Sequence, residues 1–254
     1  MDDRLRDAKR LADYVVIIAF DESQLRHGVS VGCIVQRFPQ EDWPDVSLSP
    51  SLDVFSQPNG WILAAEPRTP SFFVNTLTDM IGARQFAYCL QVYEPCCGSA
   101  DDVEGSSEVC EVSTNDNVLY KPKVIVILSR FSYFDLFRNC LNRIHLALLE
   151  DNGTAESMIA TLISSVCLAP GLPAVPFTFA SERLSVRAPS YPTVPVTADK
   201  IALFVHHLGS IYNLLLILCA VLTDHKLLMR SSSLSRLSDS CFALRCLLYP
   251  FDYP

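Results

Sequence analysis

The chain has 254 residues, half of them hydrophobic, and a formal net charge of −8. That length accommodates one large domain or two small ones, each with a real core. Six acidic residues (Asp101, Asp102, Glu104, Glu108, Glu111 and Asp116) fall within 96–117, where there is no Lys or Arg, so the remaining body is nearly neutral. Such a balance offers no basic groove for nucleic acid and no direct attraction to anionic lipid.

In chain order, residues 12–20 (Ala-Asp-Tyr-Val-Val-Ile-Ile-Ala-Phe) are rich in β-branched and aromatic side chains and read as a buried strand. Gly32–Phe38 reads as a second strand, stopped by Pro39. Asn59-Gly60 signals a turn ahead of a strand over 61–64. Ser71–Thr78 is a further strand. In 84–93, Phe86, Tyr88, Leu90 and Val92 recur with period two. An antiparallel meander is expected for these ninety-odd residues. The Ser-, Gly- and acid-rich stretch 96–117 has too few large apolar side chains to order itself and reads as a disordered loop. A strand over 123–129 resumes the sheet.

Helices are expected next. Ser132 with Asp135 resembles a capping box, followed by the face Phe134, Phe137, Leu141, Ile144 and Leu148. Thr154 is placed to cap a second helix with the face Met158, Ile159, Leu162, Ile163 and Val166, ended by Pro170. Five prolines in 173–197 suggest an extended connector, with a strand at 177–180. Residues 198–208 read as a helix with Gly209 at C′. Ser210 caps Ile211–Leu222, 226–229 is expected to be a short buried strand, and Ser232 or Ser233 caps a last helix with the stripe Leu234, Leu237, Cys241, Leu244 and Leu248. Helix–strand–helix order belongs to an α/β layer.

Ten cysteines do not make a disulfide framework here. Several lie within apolar helical patterns, where free Cys acts as a small hydrophobe. Residues 1–10 have no apolar segment and no small-residue cleavage site, so they do not read as a secretory signal, and a reducing, intracellular setting is expected. The longest apolar run, 214–222, is far short of the roughly 20 residues that span a bilayer. His206 and His207 are about 100° apart on a helix and do not share a face. Cys89, Cys96, Cys97 and Cys110 lack the paired short spacing of a zinc site. There is no Gly-rich phosphate cradle, no Cys with Arg six residues on, no Gly-x-Ser-x-Gly and no His-Glu-x-x-His. No cofactor is expected, and no nucleophile.

One stretch, residues 222–241, carries the pattern Leu-Thr-Asp-His-Lys, an apolar run, then Ser, Arg236-Leu, Asp239 and Cys241. This resembles the central segment of a DENN domain, in the form found in the myotubularin-related pseudophosphatases, or SET-binding factors. Upstream landmarks follow the same family in order. They are Arg10-Leu-Ala-Asp-Tyr14, then Gln36-Arg-Phe-Pro39 with Asp42-Trp43, Gln57-Pro with Gly60-Trp61, and Pro70 with Phe72-Phe73 running to Leu77-Thr-Asp79. Cys89-Leu90 with Tyr93-Glu-Pro95, and Pro122-Lys123 through Ser129-Arg130 to Phe137-Arg-Asn139, complete the series.

The resemblance implies an α/β chain with a longin-like upstream DENN module, an antiparallel sheet with helices, over 10–169 after an extension at 1–9. A connector at 170–197 and the start of a core DENN module at 198–254 follow. The family's core module continues further, so the resemblance also implies a fragment. By the same resemblance the partner is a Rab-family small GTPase, contacted by the signature polar residues Asp79, Arg130, Asp224, Lys226 and Arg236. A myotubularin-type phosphatase is a second partner through the full-length protein. The implied activity is guanine-nucleotide exchange without covalent catalysis, in the cytoplasm or peripherally on endosomal or vesicle membranes. The alternative is a non-catalytic trafficking adaptor that regulates an active phosphoinositide phosphatase. Taken residue by residue, Arg37-Phe-Pro39 and Thr223-Asp-His-Lys226 read most simply as strand termination and a helix-to-strand turn.

Overall fold

Large apolar side chains at nearly every position of Tyr14–Phe20 suit a strand covered on both faces, and that is where the chain puts it. The computed structural model describes residues 9–21, 31–78, 84–96, 119–188, 199–249 and 251. The expected disordered loop at 96–117 lies, apart from Cys96, outside the described residues. A five-stranded antiparallel sheet is built from β2 (Tyr14–Phe20), β3 (Gly32–Phe38), β4 (Ser71–Thr78), β5 (Arg84–Pro95) and β6 (Tyr120–Ser129). A two-residue strand, β1 (Lys9–Arg10), precedes it and pairs elsewhere.

The strand order is β3-β2-β6-β5-β4. The expected meander is therefore corrected: β6 inserts between the hairpins β2–β3 and β4–β5. Burial explains the order. β2, β5 and β6 are almost wholly buried and take the three inner places, whereas β3 and β4 carry exposed positions and take the edges. On the β3 edge the pairing slips between Ile17 and Ile18, leaving Val35 as an extra residue in a bulge.

Period-two alternation sorts the side chains of the sheet. Val15, Ile17, Phe86, Tyr88, Leu90, Ile125 and Ile127 point to one core, and Tyr14, Val16, Ile18, Cys89, Val124, Val126 and Leu128 to the other. The second face is closed by Leu52 of the short helix α1 (Leu52–Ser56) and by Trp61. Trp61 lies so close over Gly32 that a Cβ there would collide with its indole ring. The expected strand at 61–64 is absent; only Ala64 makes a bridge, to Tyr120. The turn before it is present, with Gly60 at φ 79°.

The first face is covered by α2 (Phe134–Glu150) and α3 (Asn152–Ala160), which runs on through a π-helical turn at Thr161–Ser165. The expected buried faces of both helices are found: Leu148 is partly buried and every other named residue is buried. Their caps differ from expectation. Tyr133, not Ser132, precedes α2 and has no side-chain cap bond. The Asp151 carboxylate, rather than Thr154, caps α3 by accepting from the N–H groups of Gly153 and Thr154. The chain then forms β7 (Cys167–Leu168), paired with β1.

Within the proline-rich stretch, β8 (Val175–Phe179) and β9 (Glu182–Val186) form a hairpin rather than an extended linker. Phe177, Phe179 and Val186 join the first core, and that burial is why the hairpin docks. Three helices follow: α4 (Asp199–Leu208), α5 (Ile211–Leu222) and α6 (Leu234–Leu247). Gly209 has φ 70°, and Ser210 and Ser233 accept the cap bonds of α5 and α6, as expected. Residues 226–229 form no strand; Leu228 is 96% exposed, and no described strand lies beside it to pair with. No single helix among the described residues is long and apolar enough to cross a membrane.

The late helices dock on the sheet through α6. Phe242 packs on Phe134 with ring centroids 4.1 Å apart. The Ser238 hydroxyl accepts from the Val74 N–H and reaches the Val74 carbonyl, both at 3.1 Å, standing in for a neighbouring strand. Lys200 of α4, only 4% exposed, places its ammonium 2.6 Å from Asp239 and over the Phe134 ring. The buried face of α6 is thus Phe242, Ala243, Cys246 and Leu248; of the expected stripe, Leu234, Leu237 and Leu244 are only partly buried and Cys241 is exposed.

Phe242→Ala should cost about 3 kcal/mol by opening a cavity between α6 and α2, read as a lowered denaturation midpoint. His145 on α2 supplies a pH signature. Burial, with the nearby Lys123 charge, holds its pKa below the ordinary value. The unfolded chain then binds the extra proton first, so stability falls as pH drops below about 6.5, the unperturbed value. His145→Gln should flatten the melting temperature across that acid window.

Candidate functional site

Two polar assemblies are built on this frame. The first gathers the landmarks of the upstream sequence. Asp13, just before β2, has a fully buried carboxylate. Arg130, just after β6, reaches Asp13 at 2.8 Å and Asp45 at 3.1 Å. Arg10 pairs with Asp45 at 2.5 Å and lies 4.0 Å over the Trp43 ring. Gln85 donates to the other Asp13 oxygen, and the Trp43 indole N–H donates to the Asp13 carbonyl. Burial works against the Asp45 carboxylate, but the Arg10 hydrogen bond and the Arg10 and Arg130 charges hold its pKa below the usual range.

The Arg37–Asp42 ion pair continues the assembly. Its hydrogen bond lowers the Asp42 pKa. Tyr14 accepts from the Trp43 N–H and donates to the Val46 carbonyl. Burial, opposed by the Trp43 hydrogen bond and aided by the Asp42 charge, pushes the Tyr14 phenol up, so it stays a donor. These motif residues pin the loop after β3 to the sheet. Arg130 is committed here, inside the protein's own hydrogen-bond system.

The second assembly is a groove of about 1140 Å³ between β4, α6 and the end of α5. Asp224 and Lys226 line it together, beside His225, and Arg84 and Arg245 also face it. Leu237 and Leu244 form an apolar wall, so part of the expected α6 stripe faces this opening rather than the core. The wall at Asp224 is set by local chain geometry. The His225 N–H bonds the Ala220 carbonyl and the Asp224 N–H bonds that of Val221, which is a Schellman ending for α5. Asp224 takes the left-handed position of that motif, φ 59°, where Gly is the usual occupant. A side chain held there costs on the order of 1 kcal/mol, a strain that marks candidate functional positions. Thr223 Oγ1 sits 2.8 Å from His225 Nδ1 and orients the ring.

Arg236 is exposed on the first turn of α6, outside the groove lining. Asp79 lies outside the described residues. Of the five signature positions, then, the fold brings Asp224 and Lys226 together and places Arg130 at the other assembly. Arg84, Thr76 and Thr78 also line the groove but carry no motif; only the strand order reveals them. Among the described residues Cys241 is the one thiol in the lining; burial raises its pKa, which disfavours the thiolate. Among the described residues no cluster of three His, Cys, Asp or Glu is placed to hold a metal ion. The groove's chemistry is therefore recognition: an apolar wall with a rim of mixed charge.

Arg130→Met should destabilise the protein by about 2 kcal/mol. Removing one partner of a buried pair usually costs more, but Arg10 remains near Asp13 and Arg130 is partly solvated. Asp13→Asn in the same background should recover part of the loss in a denaturant titration, because the uncompensated charge is gone.

Comparison with known proteins agrees with this layout. The uDENN domain model matches residues 32–92, from β3 through most of β5, and the DENN (AEX-3) domain model matches residues 120–254, from β6 onward. Myotubularin-related protein 5 of Caenorhabditis elegans is 24% identical over 243 residues, covering 96% of this chain and 13% of that protein. The DENN domain and WD repeat-containing protein SCD1 of Arabidopsis thaliana is 26% identical over 199 residues, covering 77% of this chain and 16% of that protein. The chain thus spans well under a fifth of the length of either relative. With one domain model spanning more than half of its residues and a second matching the sheet, the chain belongs to the DENN domain family.

Proposed function

We propose that this chain is the N-terminal DENN region of a guanine-nucleotide exchange factor for Rab-family small GTPases, within a myotubularin-related pseudophosphatase. The carrying observation is the pairing of uDENN and DENN matches along one chain whose two parts meet at a groove. In this reading 10–169 is the upstream module, 198–254 the start of the core module, and Asp224 and Lys226 touch the GTPase from the groove wall. Arg236 and Asp79 extend the contact, and Arg130 supports it by holding the loop after β3. A myotubularin-type phosphatase is a further partner through the whole protein, which acts in the cytoplasm or peripherally on endosomal or vesicle membranes.

Exchange of this kind needs no nucleophile. A protein that binds the nucleotide-free GTPase more tightly than the loaded form weakens nucleotide affinity by the same factor. The left-handed backbone at Asp224, which fixes where its side chain stands on the groove wall, supports the assignment.

The test is GDP release from a panel of purified Rab-family GTPases, with this chain and with the full-length protein. The full-length protein should accelerate release from at least one GTPase. Asp224→Gly in that protein should slow exchange about tenfold with the fold retained, because Gly keeps the left-handed backbone and removes only the side chain. Binding that ignores nucleotide state, or no acceleration by folded full-length protein, would replace exchange with the adaptor reading.

A further inference from the structure

Between Asp224 and Asp239 the sequence has no carboxylate but three basic side chains, Lys226, Arg230 and Arg236. In a chain of net charge −8 this stretch is a local exception. Arg230 and Arg236 are exposed, and among the described residues neither guanidinium has a hydrogen bond or an ion pair. Residues 225–233, which join α5 to α6, form no helix or strand. No backbone hydrogen bond ties 226–232 to another described segment. Four serines lie here, and the fold uses them unequally. Ser231 Oγ accepts from the Ser233 N–H at 3.2 Å. Ser233 caps α6, and Ser235 is partly buried in its first turn. Ser232 is exposed, and among the described residues its hydroxyl has no partner.

We propose that Ser232 is a phosphorylation site for an arginine-directed protein kinase. Phosphoryl transfer requires a hydroxyl that reaches the γ-phosphate of ATP in line, on a segment free to lie in the kinase cleft. Ser232 offers that hydroxyl, and the irregular, exposed stretch before it offers the segment. Arg230, two residues ahead of Ser232, suits a cleft lined by carboxylates, and the absence of acidic neighbours from 225 to 238 disfavours a cleft lined by cations. In the step, Ser232 Oγ bonds to the γ-phosphorus as the bond from that phosphorus to the β-phosphate oxygen breaks. The hydroxyl proton passes to the kinase's catalytic carboxylate, and ADP leaves. The product carries a charge of about −2 in a loop whose own charges are all positive, so Arg230 and Arg236 gain an anion beside them in sequence. That anion also stands just ahead of α6, where negative charge is stabilising. The free hydroxyl and the unpaired arginines carry the proposal without this last effect. Phosphorylation shares with the proposed function only a cytoplasmic setting, and it needs no GTPase.

The test is incubation of the full chain with ATP, magnesium ions and, in separate reactions, an arginine-directed and an acid-directed serine kinase, with the modified residue mapped by fragmentation mass spectrometry. Phosphate should arrive at Ser232 with the arginine-directed kinase alone. Arg230→Ala should slow that transfer about tenfold. Ser232→Ala should abolish it and leave the melting temperature unchanged, because the hydroxyl bonds nothing in the fold. The phosphorylated chain should melt about 2 °C higher than the unmodified one in low salt, and the gain should shrink in high salt. No transfer to Ser232, transfer chiefly to Ser231, Ser233 or Ser235, or a rate indifferent to Arg230→Ala would overturn the proposal. So would transfer to a synthetic peptide of residues 224–238 but not to the folded chain, because the hydroxyl would then be inaccessible in the fold.

Discussion

The inner strands of the sheet are apolar on both faces, and a sheet of that kind persists only if each face is shielded from water. Everything else in the fold answers this demand. The side bearing Val15, Tyr88 and Ile127 is shielded by α2, α3 and the β8–β9 hairpin. Among the described residues, the side bearing Tyr14, Cys89 and Val126 meets a long helix only at Leu234, the start of α6. It is shielded by Leu52, Trp61 and partly buried loop residues such as Val46 and Leu48, which is why those loops must be pinned so firmly. The Asp13, Arg10 and Arg130 assembly does that pinning, and Gly32 leaves room for the indole that closes the layer.

Polar groups placed inside such a frame are costly unless satisfied, so they report on what the fold must hold in register. Asp13 is satisfied by two arginines and Gln85, and it ties the start of β2 to the end of β6. Lys200 plays a comparable part between α4 and α6, with Asp239 as its partner and Phe134 beneath. Both arrangements tie segments far apart in sequence, and both sit where an apolar contact alone would leave the relative positions free to slide.

Local signals were read well from the sequence, and long-range ones were not. Strands β3 and β4 have the expected bounds, because Pro39 and the alternation in 71–78 act within a few residues. Ser210 and Ser233 cap as expected for the same reason. The insertion of β6 was invisible, since strand order depends on which strands tolerate water. The β8–β9 hairpin was hidden under its prolines; Pro176 is accommodated on a short two-stranded ribbon, where half of the backbone groups face outward. For α6, a single leucine stripe was expected, but the helix meets both β4 and α4, so its buried face turns toward Phe242 and Cys246 while the leucines border the groove. At the site, Asp224 and Lys226 were legible as neighbours in one turn. Thr76 and Arg84 were not, because nothing in their own surroundings shows that β4 would be an edge.

The bulge at Val35 also governs how copies of this protein coexist. Sheets from separate molecules fuse into fibres only when each contributes two receptive borders, one to give and one to take. Here the border at β3 is locally out of step with any straight neighbour, which disfavours strand pairing with a second sheet at that edge. A chain with exposed aliphatic side chains at Ile34, Val35 and along α5 has reason to carry such a stop.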